Sequence, residues 1–351
     1  MVTMHRVLSY YGFKKDEYAI KNFGNGLIND TCHVKNGEEQ YILQRVNTHV
    51  FTRPYLIADN IEKIQSFINS KAKDYFFAAP LRTLNGESLL HLNGSGYYRI
   101  FPFVKDSHTI DVVQTPDQAY EAAKQFGKFT SILSGIDIAS LNITLPSFHD
   151  LLLRYEQFSE VLKTGNAGRR RKAQPVIDSL KTYSDIVEEY NRIKANPEVK
   201  LRVTHHDTKI NNVLFDKNNR GICVIDLDTV MPGYFISDVG DMMRTYLCPV
   251  SEEEQDLTKI KIRDEFYYAI VRGYRVYMDG ELTETEKKLF FYSGKFMIYM
   301  QALRFITDYI NNDIYYTAKY PEHNFVRAQN QLTLLQRFLE KEAIFSDAYK
   351  L

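Results

Sequence analysis

Thr204-His205-His206-Asp207-Thr208-Lys209-Ile210-Asn211-Asn212, followed by Val224-Ile225-Asp226-Leu227-Asp228, is the stretch of this chain from which the fold is read. It contains His-x-Asp-x-x-x-x-Asn and then an aspartate at the end of an apolar strand-like run. Phosphoryl transfer needs such groups, because the protein must orient a hydroxyl and neutralise charge on phosphates, chiefly by holding metal ions. In that chemistry Asp207 accepts or orients the hydroxyl proton, Asn212 offers an amide oxygen to Mg2+, and Asp226 holds the metal that bridges the phosphates. Lys209 can place its ammonium near the transferred group. Alone, a His-x-Asp in a turn is a hydrogen-bonded loop and an aspartate after a strand is a cap. The conjunction with the surrounding elements argues for more.

Working outward, Val213 to Phe215 and Ile222 to Leu227 read as two strands joined by the turn-prone Lys217-Asn218-Asn219-Arg220-Gly221. Helical stripes flank them at Tyr120 to Ile132, Leu151 to Leu162 and Val176 to Ile193, and Thr283 with Glu286 predicts a capping box opening another long helix. Nearer the start, Gly24-Asn25-Gly26 and Asn36-Gly37 are hairpin signals in a three-strand meander that ends near Val46. Ile57, Ile61, Ile64 and Ile68 then form the apolar stripe of a helix from Pro54 to Lys71, and two further strands follow at Leu89 to Leu92 and Tyr97 to Val104. The expectation is an α+β fold of two lobes: residues 1–104 with a five-stranded antiparallel sheet and one helix, and residues 105–351 as a larger helical lobe carrying the catalytic loop. The basic run Arg169-Arg170-Arg171-Lys172 reads most simply as a solvated helix connection.

Forty-four basic side chains balance 44 acidic ones, so no net field draws the protein to nucleic acid or anionic lipid. The 44% hydrophobic content suffices for a core in each lobe. Cys32, Cys223 and Cys248 have no C-x-x-C spacing, and no apolar run is long enough to span a bilayer. The reading is a soluble, unprocessed, cytoplasmic protein, monomeric, with small molecules as partners.

On these motifs, together with Tyr41-Ile42-Leu43-Gln44-Arg45, Asp238-Val239-Gly240-Asp241, the segment from Arg304-Phe305 to Asp313-Ile314-Tyr315, and Lys319-Tyr320-Pro321-Glu322-His323-Asn324, the chain resembles the aminoglycoside phosphotransferase-like kinases. Within that protein-kinase-like family it is closest to the N-acetylhexosamine 1-kinases. The resemblance implies an ATP- and Mg2+-dependent kinase that phosphorylates the anomeric hydroxyl of an amino sugar. It implies that His205 braces the catalytic loop and that Asp238 opens a helix and hydrogen-bonds the loop backbone. Thr229, Arg304 and Tyr315 match sugar-pocket positions; their plainer readings are a loop threonine, an arginine paired with Asp308, and a core tyrosine. Gly24 and Gly26 would tip the hairpin over the nucleotide phosphates, and Phe101, Pro102, Phe103 and Val104 would form a purine-binding hinge. Where many kinases carry a lysine on strand three this chain has Gln44, a feature shared with the hexosamine kinases; the usual partner glutamate would be Glu62. His206 is left without a role. Kinases for choline, homoserine, a thio-sugar or an aminoglycoside stay open as alternatives, as does a nucleotide- or sugar-binding module without catalysis. Nothing after Asp226 resembles a protein-kinase activation segment.

Overall fold

The computed structural model describes residues 2–15, 17–24 and 28–350. Strands β1 (Tyr18–Asn22), β2 (Asp30–Asn36), β3 (Glu39–Val46), β4 (Leu90–Leu92) and β5 (Gly96–Pro102) form one antiparallel sheet in the order β1-β2-β3-β5-β4. Gly37 turns β2 into β3 with φ +59°, at the first loop position of a two-residue hairpin, where glycine is favoured. Asn25 and Gly26, the other hairpin signal, lie outside the described residues.

Strand alternation gives the sheet two faces. Cys32, Val34, Leu43, Tyr98 and Ile100 are buried with Val7 and Leu8 of an N-terminal helix, α1 (Val2–Ser9), and with Phe13. In register on the other face stand Thr31, Gln44 and Arg99, and beside them His33, Ile42 and Phe101. Helix α2 (Pro54–Lys71) follows β3, with Pro54 in its first turn and Ile57, Ile61, Ile64 and Ile68 buried. That stripe joins the core of the larger lobe and not the sheet's own core. Asn60 fixes it there: its amide donates to the carbonyls of Asn142 (2.9 Å) and Val230 (3.1 Å) and accepts from the Asn142 N–H.

The larger lobe contains α3 (Pro116–Ile132), α4 (Leu151–Thr164), α5 (Ala167–Lys172), α6 (Gln174–Thr182), α7 (Asp185–Ala195), α8 (Phe235–Tyr246), α9 (Asp264–Met278), α10 (Glu284–Lys287), α11 (Phe290–Ile310), α12 (His323–Leu339) and α13 (Glu342–Phe345). Among them run β6 (Ser107–His108), β7 (Arg202–Thr204), β8 (Val213–Asp216), β9 (Gly221–Val224) and β10 (Met231–Gly233), paired as β6-β8-β9 and β7-β10. Helix α11, apolar nearly all round, is buried along most of its length. Among the described residues no helix is long and apolar enough to cross a membrane.

Three local expectations change. The stripe from Val176 to Ile193 is two helices, broken at Tyr183 and Ser184, and Ser184 at the start of the second makes no capping hydrogen bond. The Thr283–Glu286 capping box forms with both of its hydrogen bonds, yet α10 lasts four residues, and the long helix begins at Phe290. The buried Glu286 carboxylate also takes Arg202 and the Lys200 N–H, so the box serves as a tie to β7. The basic run is helix α5, and it is not simply solvated. Arg169 pairs with Asp313, Lys172 with Glu322, and Arg170 donates to the Leu162 carbonyl.

Helices α3 and α9 cross at glycines. A Cβ at Gly127 would lie 2.6 Å from the Tyr274 carbonyl oxygen, and one at Gly273 would lie 2.3 Å from that of Tyr120. Gly273→Val is therefore expected to destabilise the fold by about 1–3 kcal/mol through overpacking. Gly280→Ala, where a Cβ meets nothing within 4 Å, serves as the neutral control in urea denaturation.

Candidate active site

The loop that follows β7 is held through its backbone. Asp238, in the first turn of α8, accepts the His205 N–H at 2.9 Å and the His206 N–H at 2.8 Å, and Asp241 accepts the Thr208 N–H at 2.9 Å. Burial pushes the Asp238 carboxyl up to about 7, against the pull of those two N–H donors. The Thr208 hydroxyl donates to the Asp238 carbonyl, and the Tyr246 hydroxyl to the Thr208 carbonyl. His206 sits at φ +65°, a left-handed conformation rare outside glycine and asparagine. Room for its ring exists because residue 233 is glycine; a Cβ there would fall 2.3 Å from Thr204 Oγ1 and 2.4 Å from the His206 ring.

His205 is fully buried against Phe126, and burial holds its pKa down. Its Nε2–H donates to the Ile225 carbonyl at 2.9 Å, tying the loop to the end of β9, just before Asp226. His206 bonds Thr204 Oγ1 through Nε2 and Ser237 Oγ through Nδ1, and His149 meets the same serine hydroxyl. Burial lowers His206 to about 4 and His149 well below the usual imidazole range, so both are neutral at pH 7. His206 is thus part of the loop's support.

The chemistry-bearing groups converge. Lys209 Nζ lies 2.9 Å from Asp207 Oδ1, and Asn212 Nδ2 donates to the Asp207 carbonyl (2.8 Å) and to its Oδ2 (3.0 Å). Burial raises the Asp207 pKa, but the Lys209 ammonium and the Asn212 hydrogen bond more than offset it and leave the carboxyl below its ordinary value. Asp226, two residues past β9, is in the left-handed region at φ +59° and is exposed. Loss of bulk solvation there, with the charges of Asp228 and Asp207, pushes it up to about 7 against Arg99 and Lys209, although solvent still reaches the residue.

From the sheet, Gln44 does not stand bare in the cleft. Its Oε1 accepts from Arg99 Nε (3.1 Å) and Nη2 (2.9 Å), and Arg99 Nη1 lies 2.5 Å from Asp228 Oδ1, with both residues almost fully buried. Asn29 donates to the second oxygen of Asp228 at 2.8 Å. Glu62 is elsewhere, on an exposed ion pair with Arg82. At the end of β5 the ring of Phe103 meets those of His33 and Phe23 at centroid distances of 5.1 and 6.1 Å. The Phe103 N–H donates to the Gln40 carbonyl, and the Val104 carbonyl accepts from Ser107. Gly24 is exposed, with φ +74°.

On the far side of the loop, Arg304 has no carboxylate partner among the described residues; its guanidinium lies over the rings of Phe148, Tyr315 and Tyr316 at 5.4–5.6 Å. Asp308 accepts the N–H groups of Tyr315 (2.7 Å) and Tyr316 (2.8 Å) instead. Tyr315 is exposed, not core, and its hydroxyl is 3.4 Å from Arg304 Nη2. The Thr229 hydroxyl donates to the His205 carbonyl at 2.6 Å, and so braces the loop. Sequence reasoning missed Arg99, Asp228, Asn29, Phe148 and His149. Of these, Arg99 had a signal: pairing the strands in register puts it beside Gln44.

The two-lobed arrangement is that of the protein-kinase-like fold. The chain belongs to the phosphotransferase enzyme family, whose model matches residues 19–275. An aminoglycoside phosphotransferase from Alicyclobacillus acidocaldarius subsp. acidocaldarius DSM 446 is similar in structure, with a TM-score of 0.64 at 12% identity over 98% of this chain and 94% of that one. An amicoumacin kinase in complex with AMP-PNP, Ca2+ and Ami gives 0.62 at 13% identity, over 99% and 92%. A choline/ethanolamine kinase family protein from Mesorhizobium loti gives 0.59 at 14%, over 100% and 98%. At such identities the likeness speaks to fold.

Asp238→Ala leaves two buried N–H donors of the loop without an acceptor. Stability in urea denaturation should fall on the order of 3 kcal/mol.

Proposed function

We propose that the protein is an ATP-dependent, Mg2+-requiring kinase for a small alcohol, and that its acceptor is the anomeric hydroxyl of an N-acetylhexosamine. The observation that carries this reading is the contact of Asn212 with Asp207 and, through its carbonyl, with the Ile225 N–H next to Asp226; the sugar assignment is supported by Arg304, which has no carboxylate partner among the described residues. Asp207, kept ionised by Lys209, takes the hydroxyl proton as the oxygen attacks the γ-phosphorus; the bond from that phosphorus to the bridging oxygen breaks, and ADP leaves. Lys209 faces the transferred group once Asp207 has turned to the acceptor. Asp226 and the amide oxygen of Asn212 are the groups that would hold Mg2+, which supplies charge neutralisation on the phosphates. They fit a cation, since the Asp226 carboxyl is pushed up by lost solvation and by the charges of Asp228 and Asp207, which a cation would relieve, and the Asn212 nitrogen is engaged with Asp207, leaving its oxygen to coordinate. Gly24 and Gly26, Gln44, and the hinge residues Phe103 and Val104 belong to the nucleotide side, on the lobe of residues 1–104; Thr229, Arg304 and Tyr315 belong to the acceptor side, on the lobe of 105–351.

The acceptor side favours a neutral polyhydroxylated ligand. Arg304 and Arg154 are close enough that each disfavours further positive charge, as the lowered pKa of Arg154 records after burial. Choline, ethanolamine and aminoglycosides are cations; the rings of Phe148, Tyr315 and Tyr316 here are already occupied by the Arg304 guanidinium, and no acid faces it among the described residues. The free, buried cysteines suit a reducing cytoplasm.

The test is ADP release with Mg2+, ATP and a panel of free sugars and amino alcohols. N-acetylhexosamines should give turnover, and Asp207→Asn should lower kcat about 10^3-fold. Turnover on cationic alcohols alone refutes the sugar assignment, and ATP binding without turnover on any acceptor favours a binding module. Arg304→Ala should raise KM for the sugar about tenfold or more, with KM for ATP unchanged.

A pH dependence follows from Asp226. An acid raised to about 7 is increasingly protonated below that pH, and only its carboxylate holds a cation. Mn2+ affinity, followed by electron paramagnetic resonance from about pH 5 to 8, should fall up to about tenfold per unit on the acid side, a dependence that Asp226→Asn removes.

A further inference from the structure

We infer that Arg99, delivered from β5, is the cation that contacts the nucleotide's polyphosphate, and that Gln44 is the positioning residue that aims it. This rests on the kinase reading above. β3 presents no lysine to the cleft, and Arg45, on the opposite face of the strand, lies against Ser95 and Asp30 instead. Arg99 is on the cleft face, opposite Gln44 in register, and is 3% exposed.

A guanidinium carries five N–H donors in a fixed plane. Two are given to the single oxygen Gln44 Oε1, which fixes the plane of the group. A third nitrogen approaches Asp228 Oδ1, yet that buried oxygen accepts no hydrogen bond of good geometry. Three of the five N–H donors of Arg99 are thereby directed at Gln44 and Asp228, which leaves two, one on each terminal nitrogen, for a further acceptor. The partner is anionic, because the remaining donors belong to a cation. Its place is beside Asn29, which holds the other oxygen of Asp228. A polyphosphate running between the two lobes meets one cation from each. Glutamine suits position 44 for the same reason: a lysine there would repel Arg99, and a glutamate would neutralise it.

The experiment measures binding of ATP, ADP and adenosine by isothermal titration calorimetry, with Mg2+ and with EDTA. The variants are Arg99→Gln, Gln44→Lys and the exchange carrying both, each checked by thermal melting. Arg99→Gln should weaken ATP binding about tenfold or more while leaving adenosine binding within about twofold. The exchange, which returns a cation from the neighbouring strand, should recover most of the ATP affinity. Should Arg99→Gln not fold because Asp228 is left unpaired, Arg99→Gln with Asp228→Asn removes both charges and gives the same comparison. Equal loss of ATP and adenosine, no loss of either, or a folded exchange variant that recovers nothing overturns the inference and leaves the kinase reading standing. If the wild type binds neither nucleotide, the kinase reading itself falls and this inference falls with it.

Discussion

A single buried carboxylate, Asp238, sets the path of the backbone on which everything else hangs. It takes two consecutive N–H groups, those of His205 and His206, and consecutive donors can point at one acceptor only when the chain between them is sharply turned. The left-handed φ of His206 is that turn. Burying a carboxylate is costly unless it is hydrogen-bonded, and here the two amides offset the cost while the strained backbone secures their direction. Asp241, one helical turn further, repeats the device on Thr208. Its other oxygen is held by Arg244, which pairs with Glu252, which pairs with Arg327 on α12. The loop is therefore braced from α8 through a line of buried charges to the helix opened by the Tyr-Pro-Glu-His-Asn block.

The two cores do not divide where the chain divides. The isoleucine stripe of α2 packs into the large core, and Asn60 ties the helix to Val230, two residues past Asp228, whereas the sheet packs on α1. The sheet thus meets the large lobe through its cleft face, where the buried pair is Arg99 with Asp228. Opening the cleft separates two charges that have little water to return to, which is costly when no ligand replaces the lost partner.

Local patterns in the sequence announced the elements well and the long-range pairs poorly. The spacing of Ile57, Ile61, Ile64 and Ile68 gave α2 to the residue, and the hairpin of β8 and β9 followed from its turn residues, because these signals are carried within one element. The strand run ended at Val224 and not at Leu227, since Asp226 is left-handed, a conformation that no apolar pattern reports. Asp238 on the loop backbone came from resemblance, and the geometry agrees. Glu62 occupies the usual place on α2 of a glutamate that pairs with strand three, but with Gln44 there no such ion pair is possible, and its side chain pairs with Arg82. Arg99 and Asp228 are 129 residues apart, and a pair that distant follows only from strand register and lobe packing. The short strands β7 and β10 escaped notice for the same reason, three residues being too few to show a period.

The surroundings of Arg304 turn on what Asp308 does. Four residues from Arg304 on α11, it stands at the spacing where helical ion pairs form, and an arginine so paired would present little charge to a ligand. The structure gives both oxygens of Asp308 to the N–H groups of Tyr315 and Tyr316, with Asn324 adding a third bond. The turn that allows this runs through Asn312 and Asp313, both left-handed, and is pinned by Arg169 on Asp313. One carboxylate therefore does two things at once: it fixes the loop carrying Tyr315, and by being occupied there it leaves Arg304 among aromatic rings. Such a guanidinium is weakly hydrated and rich in donors. The basic run in α5 that looked like ordinary solvated surface is part of what holds that loop in place.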